Sequence, residues 1–443
     1  MLGNYNKKRI LAWSMYDFAN QPFTTLVITF IYGTYFTKVI AENEIIGTTL
    51  WSRAMTITAI TVALLSPIMG AIADKGGYRK LFLIFWSYVC IIGSFALYFP
   101  LPGEVTSALF WVIFANIGFE MGGVFCNAYL PDIAPNEKIG RVSGYGWAFG
   151  YLGGLIALAL ALVLFVQPEI PAFGFTKLNG ENIRVTNLMV SLWFFIFSIP
   201  VFIFVDSDKK YKYFKKNILK ESFGQLKITF INIKKYNELL KFLIARIFYN
   251  DGLVTIFAFG GIYAAGTFDF TFEEIMIFGI ILNITAGIGS FFLGFIDDKI
   301  GGKKTIQISN IGLIFACLIA VIVPNKDLFL LEIPFLNFNT IITGKSFFWL
   351  SGIMIGIFSG PNQSSSRSLM ARFIPPKKEN EFFGFFAFTG KATAFIGPLL
   401  LGILTQFFGS QRYGVAIVLV MFCIGYILLH RVDENKGIKL AKE

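Results

Sequence analysis

Six charged side chains fall inside long apolar runs of this sequence. They are Asp17, Glu120, Arg246, Asp251, Arg367 and Lys391. A charge in the middle of a membrane-spanning segment costs about 3 kcal/mol or more unless it faces a cavity or a partner. Three of the six are acids and three are bases, which suits a zwitterionic ligand that carries a carboxylate and an amine. The alternative for each residue is a structural ion pair or an interhelical hydrogen bond.

Several amides accompany these charges in the same runs, and four of them are candidates for the same site. They are Asn20, Gln21, Asn250 and Gln363. We expect the ten side chains together to line a cavity for a substrate and a coupling ion.

Asp17 is the strongest single candidate. It lies beside Asn20 and Gln21, just before Pro22, which removes a backbone donor and predicts a local break in the helix. A carboxylate in a dry site can take up and release a proton, so Asp17, Glu120 and Asp251 are candidates for proton coupling. The alternative for Asp17 is a fixed salt bridge to Arg246 or Arg367.

The apolar runs that carry these residues are typical of membrane spans. The chain is 55% hydrophobic and only 15% charged, with a mean hydropathy of +0.66, whereas soluble domains carry about 25% charged residues. The runs are long enough to cross a bilayer as helices. Twelve are predicted, at 10–36, 49–73, 81–100, 106–129, 142–167, 187–205, 239–266, 272–296, 305–323, 346–371, 381–408 and 412–430.

Lysine and arginine alternate between rich and poor loops along the whole chain. The rich loops include the start, the segment 206–238 and the tail from Arg431. Basic loops stay in the cytoplasm, so the pattern predicts an integral, multi-pass protein of a bacterial inner or plasma membrane with both termini cytoplasmic. Much of the net charge of +11 lies in the central loop, which argues against nucleic-acid binding.

A charged, glycine-rich loop occurs twice at an offset of 224 residues. Gly70 matches Gly294, Asp74 matches Asp298, Gly77 matches Gly301, and the pair Arg79 and Lys80 matches Lys303 and Lys304. An internal repeat on this scale indicates a duplicated fold. We therefore expect an all-α membrane protein with two six-helix halves, 1–205 and 239–443, joined by a basic connector at 206–238, with a ligand site between the halves.

The repeated loop is predicted to hold a cytoplasmic gate. Its glycines allow two helices to approach closely, and each acid can accept hydrogen bonds from the N-terminus of a neighbouring helix or pair with an arginine. The alternative is a solvated loop that only obeys the positive-inside rule. A single copy would leave that alternative open, but two copies in register argue against it.

The repeated motif G-x-x-x-D-[KR]-x-G-x-[KR]-[KR] resembles the signature loop of the major facilitator superfamily. The stretch from Tyr16 to Phe23 is similar to the first-span signature of a branch of it, the autophagy-related vacuolar amino-acid effluxers and their bacterial relatives, with Phe18 and Gln21 as departures. The segments 246–252 and 259–263 resemble the same branch. The resemblance implies twelve helices, alternating access and a monomeric transporter of amino acids or other small polar solutes.

The sequence lacks the motifs that are typical of other function classes. Gly344-Lys345-Ser346 lacks the earlier glycine of a P-loop, so no ATP site is predicted and transport would be secondary. There is no HExxH, no GxSxG and no Cys/His cluster, so we expect neither an enzyme nor a cofactor or metal. The remaining alternatives are transport of an amphiphilic or lipid-like cargo, suggested by 52 phenylalanines, and a non-transporting receptor or scaffold.

Overall fold

A computed structural model describes residues 6–206, 217–231, 233–333 and 338–442. Twelve long helical segments, numbered in chain order, form its body. They are α1 (Lys7–Ile40), α2 (Glu44–Gly76), α3 (Arg79–Ala96), α4 (Val105–Asn127), α5 (Ile139–Ala161), α6 (Glu181–Phe204), α7 (Asn237–Phe268), α8 (Phe272–Ile300), α9 (Gly302–Ile322), α10 (Gly344–Phe373), α11 (Glu379–Phe408) and α12 (Gln411–His430).

Shorter elements connect or extend the twelve segments. The 310 turns are Asn136–Lys138, Ala172–Gly174, Leu178–Gly180 and Ile233–Tyr236; a one-turn helix is Leu130–Ile133; a π-helical turn, Leu162–Val166, continues α5. The connector helix is Ile218–Ile231 and the tail helix is Glu434–Lys442. An antiparallel hairpin, β1 (Asp327–Ile333) with β2 (Phe338–Thr343), joins α9 to α10.

Eleven of the twelve segments, among the described residues, are long and apolar enough to cross a membrane. The exception is α10, although its 30 residues would span a bilayer with length to spare. Its second half holds Asn362, Gln363, Arg367 and a run of serines, nearly all of them buried inside the bundle. The polar content of α10 therefore belongs to the protein interior, and the all-helical, twelve-span fold predicted from the sequence is confirmed.

Local chemistry explains where several helices begin and end. Asn43 caps α2 through a hydrogen bond to the backbone of Ile46, and Thr271 forms a capping box with Glu274 at the start of α8. Gly77 ends α2 in the left-handed conformation, with φ of 64°. Most helices extend somewhat beyond the predicted spans; α6, for example, begins at Glu181 and not at residue 187.

Two helices are interrupted inside the bundle. The α-helical part of α1 ends at Pro22 and continues as a π-helix over Phe23–Phe30, so the helix changes type at the predicted position and is first interrupted at Ile31. In α11 the helix stops at Lys391 and resumes at Ile396. The predicted span 381–408 was continuous, so this second interruption differs from the prediction.

The two sets of six helices meet mainly along two helices of the first set and three of the second. Between the sets, α2 packs on α11 and α5 packs on α8 and α10. We call the side of the bundle that carries residue 7 and residue 430 the terminal face. The connector helix lies on this side against α2, where Gln225 contacts the carboxylate of Glu381 and Lys378 donates to the hydroxyl of Thr229. Residues 207–216 and 232 of the predicted connector lie outside the described residues.

Candidate substrate and gating sites

Asp17 on α1 is paired with Arg367 on α10. The carboxylate Oδ2 lies 2.8 Å from Nη1 of the guanidinium, and the two side chains are 17% and 5% exposed. This pair joins the two halves of the chain. The salt bridge to Arg367 that was considered for Asp17 is therefore present, and a role of Asp17 in proton coupling stays a prediction.

Arg367 also binds three further groups of the first half. Its Nε donates to Oγ of Ser143 at 2.9 Å and its Nη2 to the carbonyl of the same residue at 2.7 Å, while Nη1 donates to Asn127 at 3.1 Å. Its guanidinium lies over the ring of Trp13, 4.6 Å from the centroid. One cation from α10 therefore ties together α1, α4 and α5.

Glu120 on α4 and Lys391 on α11 form a second ion pair across the halves. Oε1 and Nζ are 2.6 Å apart, and the side chains are 21% and 32% exposed. A Cβ added at Gly123, three residues after Glu120, would meet nothing within 4 Å. These charges lie inside an apolar bundle yet border open space, which distinguishes them from the more buried Asp17 pair.

Arg246, Asn250 and Asp251 form a polar cluster on α7, facing α11. Arg246 donates to the carbonyl of Phe386 at 2.8 Å and stacks on that ring at 3.5 Å. Asn250 donates to the carbonyl of Gly390 at 3.3 Å. Among the described residues, no ion pair within 4 Å involves Arg246 or Asp251, so the cluster contains opposite charges that do not touch.

The remaining cavity candidates differ in their surroundings. Gln363 donates to the hydroxyl of Tyr151 at 3.5 Å, again across the halves. The carbonyl of Gln21 accepts from Thr24 and Thr25 next to Pro22. Asn20 is buried. A shallow, open groove lies elsewhere, on the surface at the far end of α2, where it is lined by Glu44, Ile45, Thr48, Thr49, Ser52 and Arg53.

The two acids of the repeated loop occupy equivalent positions. Asp74 accepts from the backbone N–H groups of Asn380 at 3.1 Å and Glu381 at 2.8 Å, in the first turn of α11. Asp298 accepts from the backbone N–H groups of Gly140 at 2.8 Å and Arg141 at 3.3 Å, in the first turn of α5. Each acid thus caps the second and third residues of a helix in the opposite half.

The matched glycines of the loop lie at the same contacts. A Cβ on Gly70 would overlap the carbonyl of Asn380, and one on Gly294 would lie 3.0 Å from Cα of Arg141. Gly77 and Gly301 both have positive φ, at 64° and 94°, where other residues are strained. The loop therefore needs glycine for two reasons, the close approach of helices and the turn.

The basic residues of the loop do not all act as the sequence analysis assumed. Lys80 donates to the carbonyl of Val205 at 2.8 Å, after the end of α6, and Lys303 donates to that of His430 at 3.0 Å, at the end of α12. Each contact lies within a single half of the chain. Each lysine is placed where its positive charge stabilises the C-terminal end of a helix. Lys304 is exposed. The contacts of Lys80 and Lys303 thus lie within their own halves, and a role of these three lysines in the gate stays a prediction.

Arg79 has a mixed position. It pairs with Asp132 at 2.6 Å and donates to the carbonyl of Ala128 at 2.7 Å, both within the first half. Its charge also acts on Glu379, the first residue of α11. Arg79 therefore stands next to the Asp74 contact with α11.

A buried acid network at Asp297 was missed by the sequence analysis. Asp297 pairs with Arg372 at 2.6 Å and accepts from Ser368 at the same distance. Arg372 also lies 3.4 Å from Glu434 of the tail helix, whose carboxylate accepts from the backbone of Gly302 and Lys303 at 3.0 Å. The signal in the sequence was the doubled acid at 297 and 298, of which only the second matches the repeat.

Comparisons with known proteins agree with this architecture. A family model described as "Vacuole effluxer Atg22 like" matches residues 48–442. An uncharacterized MFS-type transporter, YxiO of Bacillus subtilis, is 26% identical over 98% of this chain and 96% of that protein. Autophagy-related protein 22 of Cryptococcus neoformans is 27% identical over 68% of this chain, but the match spans only 54% of that longer protein.

Solved structures of major facilitator superfamily transporters share the fold. The crystal structure of FucP in the outward conformation superposes with a TM-score of 0.71 over 97% of this chain and 99% of that one, at 11% identity. The proton:xylose symporter XylE gives 0.66 over 98% and 96%, at 13% identity. The match to the family model covers most of the chain, and with the twelve-helix fold it shows that this protein belongs to the Atg22-like family of the major facilitator superfamily.

Proposed function

We propose that this protein is a secondary active transporter that moves a small polar solute by alternating access. Residues 1–205 and 239–443 act as the two moving halves, with 206–238 as their connector, and the terminal face is cytoplasmic. The relatives that are named as transporters or effluxers support this class. The basic loops on the terminal face support the orientation.

The Glu120–Lys391 pair carries the proposal for the cargo. Its two charges lie on opposite halves, inside the bundle, and both remain partly exposed. A partly exposed ion pair contributes less than a fully buried one, so a ligand with its own carboxylate and amine can replace each partner. A zwitterion such as an amino acid offers those two groups. Binding between the halves is also where ligands sit in folds built from repeats.

The cytoplasmic gate of the proposed transporter is formed by the two acid caps. With Asp74 of α2 capping α11 and Asp298 of α8 capping α5, the terminal face is closed and the halves are tied at two places. The Asp17–Arg367 pair adds a third tie closer to the centre. Inward opening requires all three to separate, and binding of solute in the centre would supply the free energy difference between the two states. Proton coupling through Asp17 or Glu120 belongs to the same proposal.

Uptake into proteoliposomes tests the proposal. Purified protein would be offered a panel of labelled amino acids with and without an imposed pH gradient. We expect saturable uptake of at least one of them, and its loss in Glu120→Gln. Glu274→Gln is the matched control, because the Glu274–Lys345 pair has a similar length of 2.7 Å and similar exposure but lies within one half. A flat response to every amino acid, together with movement of a labelled lipid analogue, would favour an amphiphilic cargo instead.

A further inference from the structure

The interruption of α11 lies directly against the buried acid Asp251. The first part of α11 ends at Lys391 and the second begins at Ile396, so residues 392–395 are not helical. Pro398 lies in the first turn of the second part, where a missing N–H is tolerated, and it cannot donate to the carbonyl of Ala394. The sequence therefore builds a helix that stops and restarts inside the bundle.

The interruption frees backbone carbonyls from the helix ladder. Ala392 N still donates to Phe388 O at 2.8 Å, but Ile396 N donates to Thr393 O and not to Ala392 O. Within the described part of the chain, the carbonyls of Thr389 and Ala392 accept no backbone hydrogen bond. Carbonyls without donors inside a membrane protein need another partner.

Asp251 faces the same interruption. It is 2% exposed, and Oδ1 accepts one hydrogen bond, at 3.2 Å, from the hydroxyl of Thr393 in the interrupted segment. None of the described lysines or arginines lies within 4 Å of its carboxylate. A buried carboxylate that receives only neutral donors is costly, because its charge has no ion-pair partner within 4 Å among the described residues.

Helix α7 packs tightly on both sides of the interruption. A Cβ on Gly390 would lie 2.9 Å from Nη1 of Arg246, and one on Gly397 would lie 3.2 Å from the backbone oxygen of Asp251. Glycine at both positions lets α7 approach the loose segment of α11. Arg246 itself donates to Phe386 O and to the hydroxyl of Thr389 on the helical part of α11, and to Oδ1 of Asn250 on α7.

We propose that Asp251, Thr393 and the freed carbonyls of α11 bind one Na⁺ ion. Interrupted membrane helices use unwound carbonyls and the C-terminal ends of half-helices to coordinate Na⁺, and the half-helix that ends at Lys391 supplies such an end. One carboxylate suits a monovalent cation. The described residues contain no group of three or more His, Cys, Asp or Glu side chains that would suit a divalent ion.

The proposed ion has a role only within the proposed transport function, where Na⁺ acts as a coupling ion in addition to the proton. Asp251 is on α7 and Thr393 on α11, both in the second half, and Lys391 reaches from the edge of the interruption to Glu120 of the first half. Occupancy by Na⁺ fixes the segment 392–395 and with it the position of the Lys391 amine. Na⁺ binding is thereby linked to the position of the Lys391 amine, which is the positive charge that a bound solute would contact.

Binding of radioactive ²²Na⁺ to the purified, detergent-solubilised protein tests the site without any solute. We expect saturable binding near one ion per protein, at least about tenfold weaker in Asp251→Asn and in Thr393→Val, and retained in Thr393→Ser, which keeps the hydroxyl. Glu274→Gln should bind Na⁺ like the wild type. Size-exclusion profiles establish that each variant is folded. Thr393→Ser keeps the hydroxyl and Thr393→Val removes it, and both change the side-chain volume only slightly, so their comparison distinguishes loss of an ion ligand from loss of packing.

The absence of saturable Na⁺ binding, or equal binding by the wild type and both losing variants, overturns the site. Proteoliposome uptake then separates the two proposals. Solute uptake driven by a proton gradient alone, with no Na⁺ binding, would remove the Na⁺ site and leave transport standing. Specific Na⁺ binding with no uptake of any solute would leave the site standing and remove the transport proposal.

Discussion

Asp17 and Arg367 are 350 positions apart in the chain, and their side chains meet at 2.8 Å between the two halves. The guanidinium fills its other donors with Ser143 and Asn127. Asp17→Asn removes the charge of one partner and leaves the arginine buried. Loss of one member of a buried pair costs about 3–5 kcal/mol, and the further partners of Arg367 reduce that figure here.

We expect Asp17→Asn to be expressed but to lose transport, with a lower melting temperature in detergent. A double-mutant cycle with Arg367→Gln should give a coupling free energy of about 1 kcal/mol or more. Asp17→Glu, which keeps the charge, is the control. Normal uptake by Asp17→Asn would remove this pair from the mechanism.

Removal of either acid cap should shift the protein toward a conformation with an open terminal face, while the charges of the proposed substrate site stay the same. Asp74→Ala leaves the N–H groups of Asn380 and Glu381 without their cap, and loss of a cap costs about 1 kcal/mol. Spin labels at Glu137→Cys and Lys299→Cys, on opposite halves of the terminal face, report the separation. We expect a larger population of long distances in Asp74→Ala and Asp298→Ala, and a still larger one in the double variant.

A larger side chain at Gly70 should also open the terminal face, in this case by a steric clash. Gly70→Ala places a methyl group against the carbonyl of Asn380, which holds α2 away from α11. The same label pair should report opening, with transport reduced. Gly402→Ala is the matched control, since a Cβ there meets nothing within 4 Å. If both variants behave like the wild type, the close approach at Gly70 has no role in closing the terminal face.

The Glu120–Lys391 pair predicts that activity and stability will separate. Because both side chains are partly exposed, Lys391→Met should change the free energy of unfolding by about 1 kcal/mol or less. Its uptake rate should nevertheless fall by about tenfold or more, with the larger effect on the concentration for half-maximal uptake. A matching loss of thermal stability and transport would indicate a structural pair instead.

For the Arg372–Asp297 pair, in contrast to the Glu120–Lys391 pair, we expect that loss of one partner will lower stability strongly. Asp297 is fully buried, so Arg372→Met leaves an unpaired interior charge and should lower stability by about 3–5 kcal/mol. Removing the second charge as well, in Arg372→Met with Asp297→Asn, should restore part of the loss. Thermal unfolding in detergent measures both, and an unaltered melting temperature in the single variant would contradict the assignment.

The sequence predicted the fold well because its signals are strong and repeated. Twelve apolar runs, an alternating basic bias and two copies of one loop each have a direct physical cause, and together they leave few alternatives. Asp74 and Asp298 could be recognised in advance because they occupy the same place in both copies. The partner of Asp17 was narrowed to two arginines by charge alone.

The rest could not be read from the sequence because it depends on which helices touch. Nothing in the pattern shows that Lys80 reaches the end of α6, or that Arg372 meets an acid 75 positions earlier in the chain and another in the tail. The stop at Lys391 has a sequence signal in Pro398, but a proline in an apolar run often causes only a kink. Its importance appears only when Asp251 is seen beside it.

The equivalence of the Asp74 and Asp298 caps has a kinetic consequence. Each cap joins the halves at a different helix pair, so both must be broken before the terminal face can part, and their free energies add in the barrier. If each contributes about 1 kcal/mol, one deletion speeds opening about fivefold and two speed it about thirtyfold. The duplicated loop then limits how often the empty protein opens. Fewer openings without cargo mean that less of the ion gradient that drives transport is dissipated.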